Sequence, residues 1–158
     1  LVESLDCKME PLPENWQQAC AALQACLPAG ICAVKIEPAG MDPSEIASAV
    51  YEVRYPVQMR QDVLRAVQAY NTVPQALAEK KGKKGKIKQI DLKQYLPALE
   101  VQEKDGAVFF SVQLPAGNTL TVNPALLLDF LENEAGLPLG APRILRVALK
   151  TQSNENFC

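Results

Sequence analysis

The chain has 158 residues, 48% of them apolar and 22% charged. That composition fits one ordinary globular domain or two small ones, and not a disordered segment. Histidine is absent, which excludes Ser-His and Cys-His nucleophiles, His general bases and His-containing metal sites. No apolar run reaches the roughly 18 residues of a membrane helix, and no signal-type segment is read at the start.

Leu5, Cys7 and Met9 alternate with Asp6, Lys8 and Glu10, the pattern of a half-buried strand. Pro11 and Pro13 end it. The first residue is Leu1 rather than Met, and the opening reads as a strand already under way, so the chain is expected to be a fragment lacking its earlier part. A helix follows from Glu14, with Trp16, Cys20, Leu23 and Leu27 on one face and Pro28 and Gly30 as its stop. Cys32, Val34 and Ile36 then alternate with Lys35 and Glu37 as a second strand. Residues 1–40 thus read as a β-α-β unit.

Asp42-Pro43-Ser44-Glu45 has the cap, first-turn proline and reciprocal carboxylate of a helix start. That helix must be short, because Tyr51, Val53, Tyr55 and Val57 alternate with Glu52, Arg54 and Pro56 as a strand. Met59, Val63, Val67 and Tyr70 stripe the next helix. Lys80, Lys81, Lys83, Lys84, Lys86 and Lys88 then fall together, interrupted by Gly82 and Gly85. Like charges repel and glycines break a helix, so an open, solvated loop is expected. Ile87 to Ile90 reads as a short strand, and Asp91 as the cap of a turn carrying Leu92, Tyr95 and Leu96.

Leu99 to Lys104 and Ala107 to Leu114 flank Asp105-Gly106, the chain's best hairpin signal. Gly117-Asn118 turns the chain into Thr119 to Val122. Asn123-Pro124 opens a helix that buries Leu127, Phe130 and Leu131 and ends at Gly136. Leu145, Val147 and Leu149 make the last strand. Residues 41–150 therefore predict an α+β domain of ferredoxin-like β-α-β units, helices packed on a mainly antiparallel sheet. Residues 151–158 predict a mobile polar tail.

The net charge is −2, from 16 basic and 18 acidic side chains. Setting the six clustered lysines aside leaves 10 against 18, so any nucleic-acid role belongs to that segment alone. Each phosphate bound there would release about 0.7 to 0.9 counterions. The other reading is a flexible loop whose lysines only aid solubility. No aromatics interleave the lysines, so base stacking is not supported. Gly82-x-x-Gly85 resembles the G-x-x-G loop of RNA-binding KH domains, but that loop lies between helices and an extended segment follows here.

The five cysteines, Cys7, Cys20, Cys26, Cys32 and Cys158, include no C-x-x-C pair. This argues against a disulfide framework, a zinc knuckle and a cluster-binding motif; Cys20 and Cys26, among alanines and leucines, read as small buried thiols in a reduced cytoplasm. Neither a metal nor a cofactor is expected. Asp91, Asp105, Asp129, Glu132 and Glu134 are the carboxylates available for acid–base work. Their positions suggest a cap, a turn and a polar helix face instead.

Several stretches carry a family resemblance: Leu27-Pro28-Ala29-Gly30-Ile31, Ser48 to Val53, Gly85 to Leu96, Thr121 to Leu127, and Arg146 in the last strand. The Gly85 to Leu96 stretch, with Asp91 and Tyr95, is the most specific. Together they resemble the bacterial radical-SAM-linked protein family, a domain found beside radical S-adenosylmethionine proteins. The family's Arg-rich N-terminal region is missing, Asn123 stands where the family has arginine, and Lys93 stands for another. The resemblance implies an accessory role beside a radical S-adenosylmethionine protein, in RNA or ribosome-related modification; joined to the charge reading, it gives a non-catalytic module that binds such a protein and presents RNA through the lysine loop. The alternatives are a small RNA-modifying or hydrolytic enzyme using carboxylates, or a self-associating structural subunit.

Overall fold

A computed structural model describes residues 5, 7–38, 40–81 and 87–157. The chain divides into two compact units, Leu1–Asp42 and Pro43–Cys158.

The first unit holds one helix, α1 (Trp16–Cys26). Asn15 starts it, its side chain accepting from the Gln18 backbone N–H at 3.0 Å. No α1 residue is buried. The two expected strands do not form among the described residues, so the β-α-β reading of residues 1–40 is corrected. Alternation gives a segment two faces but supplies no neighbour, and a strand needs a backbone to pair with. Here a side chain takes that place. Gln24 donates through Nε2 to the Ile31 carbonyl at 3.2 Å and accepts the Ala33 N–H at 2.8 Å. The expected buried thiols are corrected too: Cys26 is exposed and Cys20 only half-buried, with Cys7 and Cys32 also exposed.

The second unit runs β1 (Ile46–Pro56), α2 (Arg60–Thr72), β2 (Leu77–Lys81), β3 (Ile87–Asp91), β4 (Gln102–Lys104), β5 (Ala107–Pro115), α3 (Pro124–Ala135) and β6 (Arg143–Thr151). Asp42 to Glu45 yields a single 3-10 turn, Pro43–Glu45, before β1 begins. Four strands form an antiparallel sheet in the order β4-β5-β1-β6. β5 lies between β1 and β4, so the crossover through α2 skips a position in the sheet. The α+β, mainly antiparallel architecture is as the periodicity indicates.

Period-two alternation decides which face is buried. Val53 and Tyr55 of β1 join Val108, Phe110, Val112 and Leu114 of β5. Val63, Ala66, Val67 and Tyr70 of α2 and Leu127 and Leu131 of α3 complete the same cluster. α2 meets α3 edge-to-face through Tyr70 and Phe130, with ring centroids 5.8 Å apart. The β4–β5 turn needs two left-handed residues, and Asp105 (φ 52) and Gly106 (φ 70) supply them. α3 starts at Asn123, whose Oδ1 accepts the Ala125 N–H at 2.9 Å. Glu132 does not face solvent as its helix position suggests. Its half-buried carboxylate accepts the Leu139 N–H at 2.8 Å.

The expected free tail is also corrected. Residues 152–157 turn back on the open edge of β6, with the Thr151 N–H on the Glu155 carbonyl at 3.0 Å and the Phe157 N–H on the Leu149 carbonyl at 2.9 Å. The donors and acceptors of an edge strand favour this return. Cys158 lies outside the described residues.

Two core phenols behave oppositely. Tyr70 donates its hydroxyl to the Leu96 carbonyl at 2.6 Å, whereas the buried Tyr55 hydroxyl has no hydrogen-bond partner among the described residues. Tyr70→Phe should therefore cost about 1 kcal/mol, and Tyr55→Phe should be neutral or stabilising by about 1 kcal/mol, in urea unfolding. Burial pushes both phenols from 10.0 up to about 12, with Glu132 adding to the effect on Tyr55 and Asp91 to that on Tyr70. The folded state thus keeps protons that the unfolded chain releases above pH 10. Stability is intact below pH 10 and falls as pH rises toward 12. Urea midpoints across that window should decline, and decline less in the double Phe variant.

Candidate functional site

The lysine segment is not simply an open loop. Lys80 and Lys81 lie on β2 and Lys88 on β3, in an antiparallel ladder that runs from Leu77 opposite Asp91 to Lys81 opposite Ile87. Lys83, Lys84 and Lys86, with Gly82 and Gly85, lie outside the described residues. The ladder forms because one face of the hairpin has something to bury: Ala78 and Ile90, directly opposed, are both under one-tenth exposed. The two strands form a sheet separate from the four-stranded one.

The base of this hairpin is fixed by Asp91. Its Oδ1 accepts two backbone N–H groups, from Ala76 and from Lys93, each at 3.0 Å. The Leu92 N–H also reaches the Ala76 carbonyl at 2.8 Å. Asp91 thus caps the Leu92–Gln94 turn, as its place before that turn suggests, and in addition ties the two ends of the ladder together. Tyr95 closes the same turn through its N–H on the Leu92 carbonyl at 3.0 Å and packs half-buried against the core. Lys93 lies with Nζ 4.2 Å from the Tyr70 ring centroid, a cation–π arrangement. Arg146 is not part of this group; it stands on β6, opposite Tyr51 in the four-stranded sheet.

Lys80 and Lys88 are direct cross-strand partners. Like charges so placed repel. Lys80 is held nonetheless, donating through Nζ to the Thr121 carbonyl at 2.6 Å. Thr121 in turn donates its hydroxyl to the Gly117 carbonyl at 3.2 Å. An ammonium has three donors, so Lys80 keeps two for a ligand while its position is set.

That hydrogen-bonded chain leads to a second feature that sequence reasoning missed. A polar cleft of about 170 Å³ is lined by Ser44, Ile46, Gly117, Asn118, Thr119 and Gln152, among others. Its lining residues come from the starts of β1 and of the 116–122 segment and from the turn after β6. Gly117 is obligatory here, because a Cβ would stand 2.8 Å from the Ile46 carbonyl oxygen. The Ala116 N–H on the Ala47 carbonyl at 2.9 Å holds the same close approach. The only sequence signal was the turn pair Gly117-Asn118.

The carboxylates do not converge. Asp91 is a cap, Asp105 a turn residue and Glu132 a loop anchor, while Asp129 and Glu134 are exposed on α3. Glu52 pairs with Arg54 and Glu103 with Arg60. Among the described residues no carboxylate lines the polar cleft or the open groove of the first unit beside Trp16 and Cys20. Among the described residues no three Cys, Asp or Glu side chains are grouped to hold a metal ion. No helix among them is long and apolar enough to cross a membrane.

One family model matches residues 2–124; its description is an uncharacterised protein conserved in bacteria (DUF2344). No curated protein matches the chain, and no solved structure does.

Removing the Asp91 side chain should loosen the hairpin base. Asp91→Ala is expected to cost about 1–2 kcal/mol in urea unfolding. Asp91→Asn keeps an acceptor oxygen and should lose less than half as much. Hydrogen exchange at the Ala76 and Lys93 amides should speed up in the Ala variant first.

Proposed function

The chain belongs to the bacterial family DUF2344, and on that premise we propose that it is a non-catalytic accessory module whose basic hairpin holds the phosphate backbone of an RNA. The observation that carries this reading is the directly opposed pair Lys80 and Lys88, on an anchored hairpin, in a chain whose other charges are net acidic. Two ammonium groups forced together lower their mutual repulsion by sharing an anion, and a phosphodiester supplies one charge per nucleotide. Lys81 follows on the same hairpin, and Lys83, Lys84 and Lys86 join its strands in sequence. Without aromatic platforms in the segment, binding is to backbone charge rather than to stacked bases. The resemblance to radical-SAM-linked proteins supports a radical S-adenosylmethionine protein as the partner beside which the module would present its RNA.

Binding of a mixed-sequence single-stranded RNA, followed by filter assay between 50 and 200 mM salt, tests the RNA part (a range in which phosphate binding shows strongly). Lys80→Ser/Lys88→Ser should weaken binding and flatten the logarithmic salt slope by about 1.4, roughly 0.7 for each ammonium removed. Unchanged affinity and slope would dismiss it. Pull-down from a bacterial lysate, with and without nuclease, separates the two kinds of partner: a radical enzyme retained after nuclease treatment supports the protein association, and its absence from both samples argues against it.

A further inference from the structure

We propose that the cleft at Gly117 is the sugar-and-base subsite of the lysine hairpin, so that the site takes a single-stranded ribonucleotide segment, its phosphates on Lys80 and Lys88 and its 2′-hydroxyl and base edge in the cleft. The inference rests on the RNA reading above and adds which nucleic acid the site selects.

Three observations carry it. The first is connection. Lys80 Nζ to the Thr121 carbonyl, 2.6 Å, and Thr121 Oγ1 to the Gly117 carbonyl, 3.2 Å, join the hairpin to the cleft rim through two hydrogen bonds. A ligand seated on the held ammonium is therefore beside the cleft. The second is chemistry. Ser44 and Thr119 bring hydroxyls, and Asn118 and Gln152 bring amides, with no charged side chain among the lining residues. Such groups both donate and accept, which suits a ribose hydroxyl or a base edge. An uncompensated phosphate would gain little there, because none of the described lining residues is a cation. The side chains of Asn118, Thr119 and Gln152 take part in none of the hydrogen bonds among the described residues and are exposed.

The third is size. About 170 Å³ is well below the ~300–1,000 Å³ of clefts that enclose a whole small ligand. It has room for one part of a larger ligand whose remainder lies elsewhere. A polynucleotide divides in that way, with its charge on the backbone and its neutral hydrogen-bonding groups on sugar and base. No aromatic residue lines the cleft, so the base is held by its edge, which requires an unpaired strand. The 2′-hydroxyl is the group by which a protein distinguishes RNA from DNA.

The test uses the full chain and two probes, a single-stranded RNA and a DNA of the same sequence. The unaltered protein should bind the RNA about tenfold more tightly, the effect of one or two neutral hydrogen bonds. Asn118→Ala/Thr119→Ala changes only exposed side chains, and circular dichroism and thermal melting would verify its fold. In this variant the RNA affinity should fall to within about twofold of the DNA affinity, with the salt slope unchanged. Gln152→Ala, at a lining residue from the turn after β6, should reduce the same preference. Lys80→Ser/Lys88→Ser should weaken both probes and flatten both slopes. Equal binding of RNA and DNA by the unaltered protein, or a preference that survives both cleft variants, overturns this inference and leaves the RNA reading standing. Binding of neither probe overturns both.

Discussion

A single carboxylate oxygen sets where the basic hairpin points. Asp91 Oδ1 holds the N–H groups of Ala76 and Lys93, residues just before and just after the ladder. Ala76 and Leu92, beside these bonds, are fully buried. The hairpin is therefore rooted in the core of the second unit, and its lysines are carried on a fixed base. Repulsion among the ammonium groups acts to spread the strands. The Asp91 tie and the burial of Ala78 against Ile90 act against that spreading. Salt shortens the reach of the lysines to about 10 Å at 0.1 M, so a ligand is felt mainly where the hairpin aims.

The second unit was largely legible because its signals come with partners. Asp105-Gly106 demands two left-handed residues between strands that do pair. Asn123 caps a helix whose stripe, Leu127 and Leu131, meets a sheet face made by Val108, Phe110, Val112 and Leu114. The first unit misled for the complementary reason. Leu5, Cys7 and Met9, like Cys32, Val34 and Ile36, alternate well enough, but among the described residues no strand pairs with them, and Gln24 engages the second segment instead. The lysine segment differs at one end. Charge and glycine suggested an open loop from Lys80 onward, whereas Ala78, buried opposite Ile90, brings Lys80 and Lys81 into a strand beside the expected Ile87 to Ile90 one. The cleft could not be read at all: Ser44, Gly117 to Thr119 and Gln152 are far apart in sequence and are brought together by the register of β1 against β5 and β6.

The two units differ in what stabilises them. In the second, buried side chains from four strands and two helices share one cluster. In the first, Leu12, Leu23, Ile31 and Val34 remain largely exposed, and α1 buries none of its residues. So little hydrophobic burial offsets little of the conformational entropy lost on ordering a segment of that length. The family match covers both units but stops at Pro124, the first residue of α3. α3 and β6 nonetheless supply Leu127, Leu131 and the fourth strand, so the matched region alone does not account for the buried cluster.

The return of residues 152–157 along β6 is a self-supplied neighbour for an otherwise open strand. Backbone groups around Leu149 and Thr151 that would nucleate pairing with a foreign chain are already occupied. The preceding length, Arg143 to Ala148, carries two arginines in its sequence, and a charged edge disfavours zipping against an identical copy. The sheet is thus guarded against indefinite growth at its longest border, one half by hydrogen bonding and the other by charge.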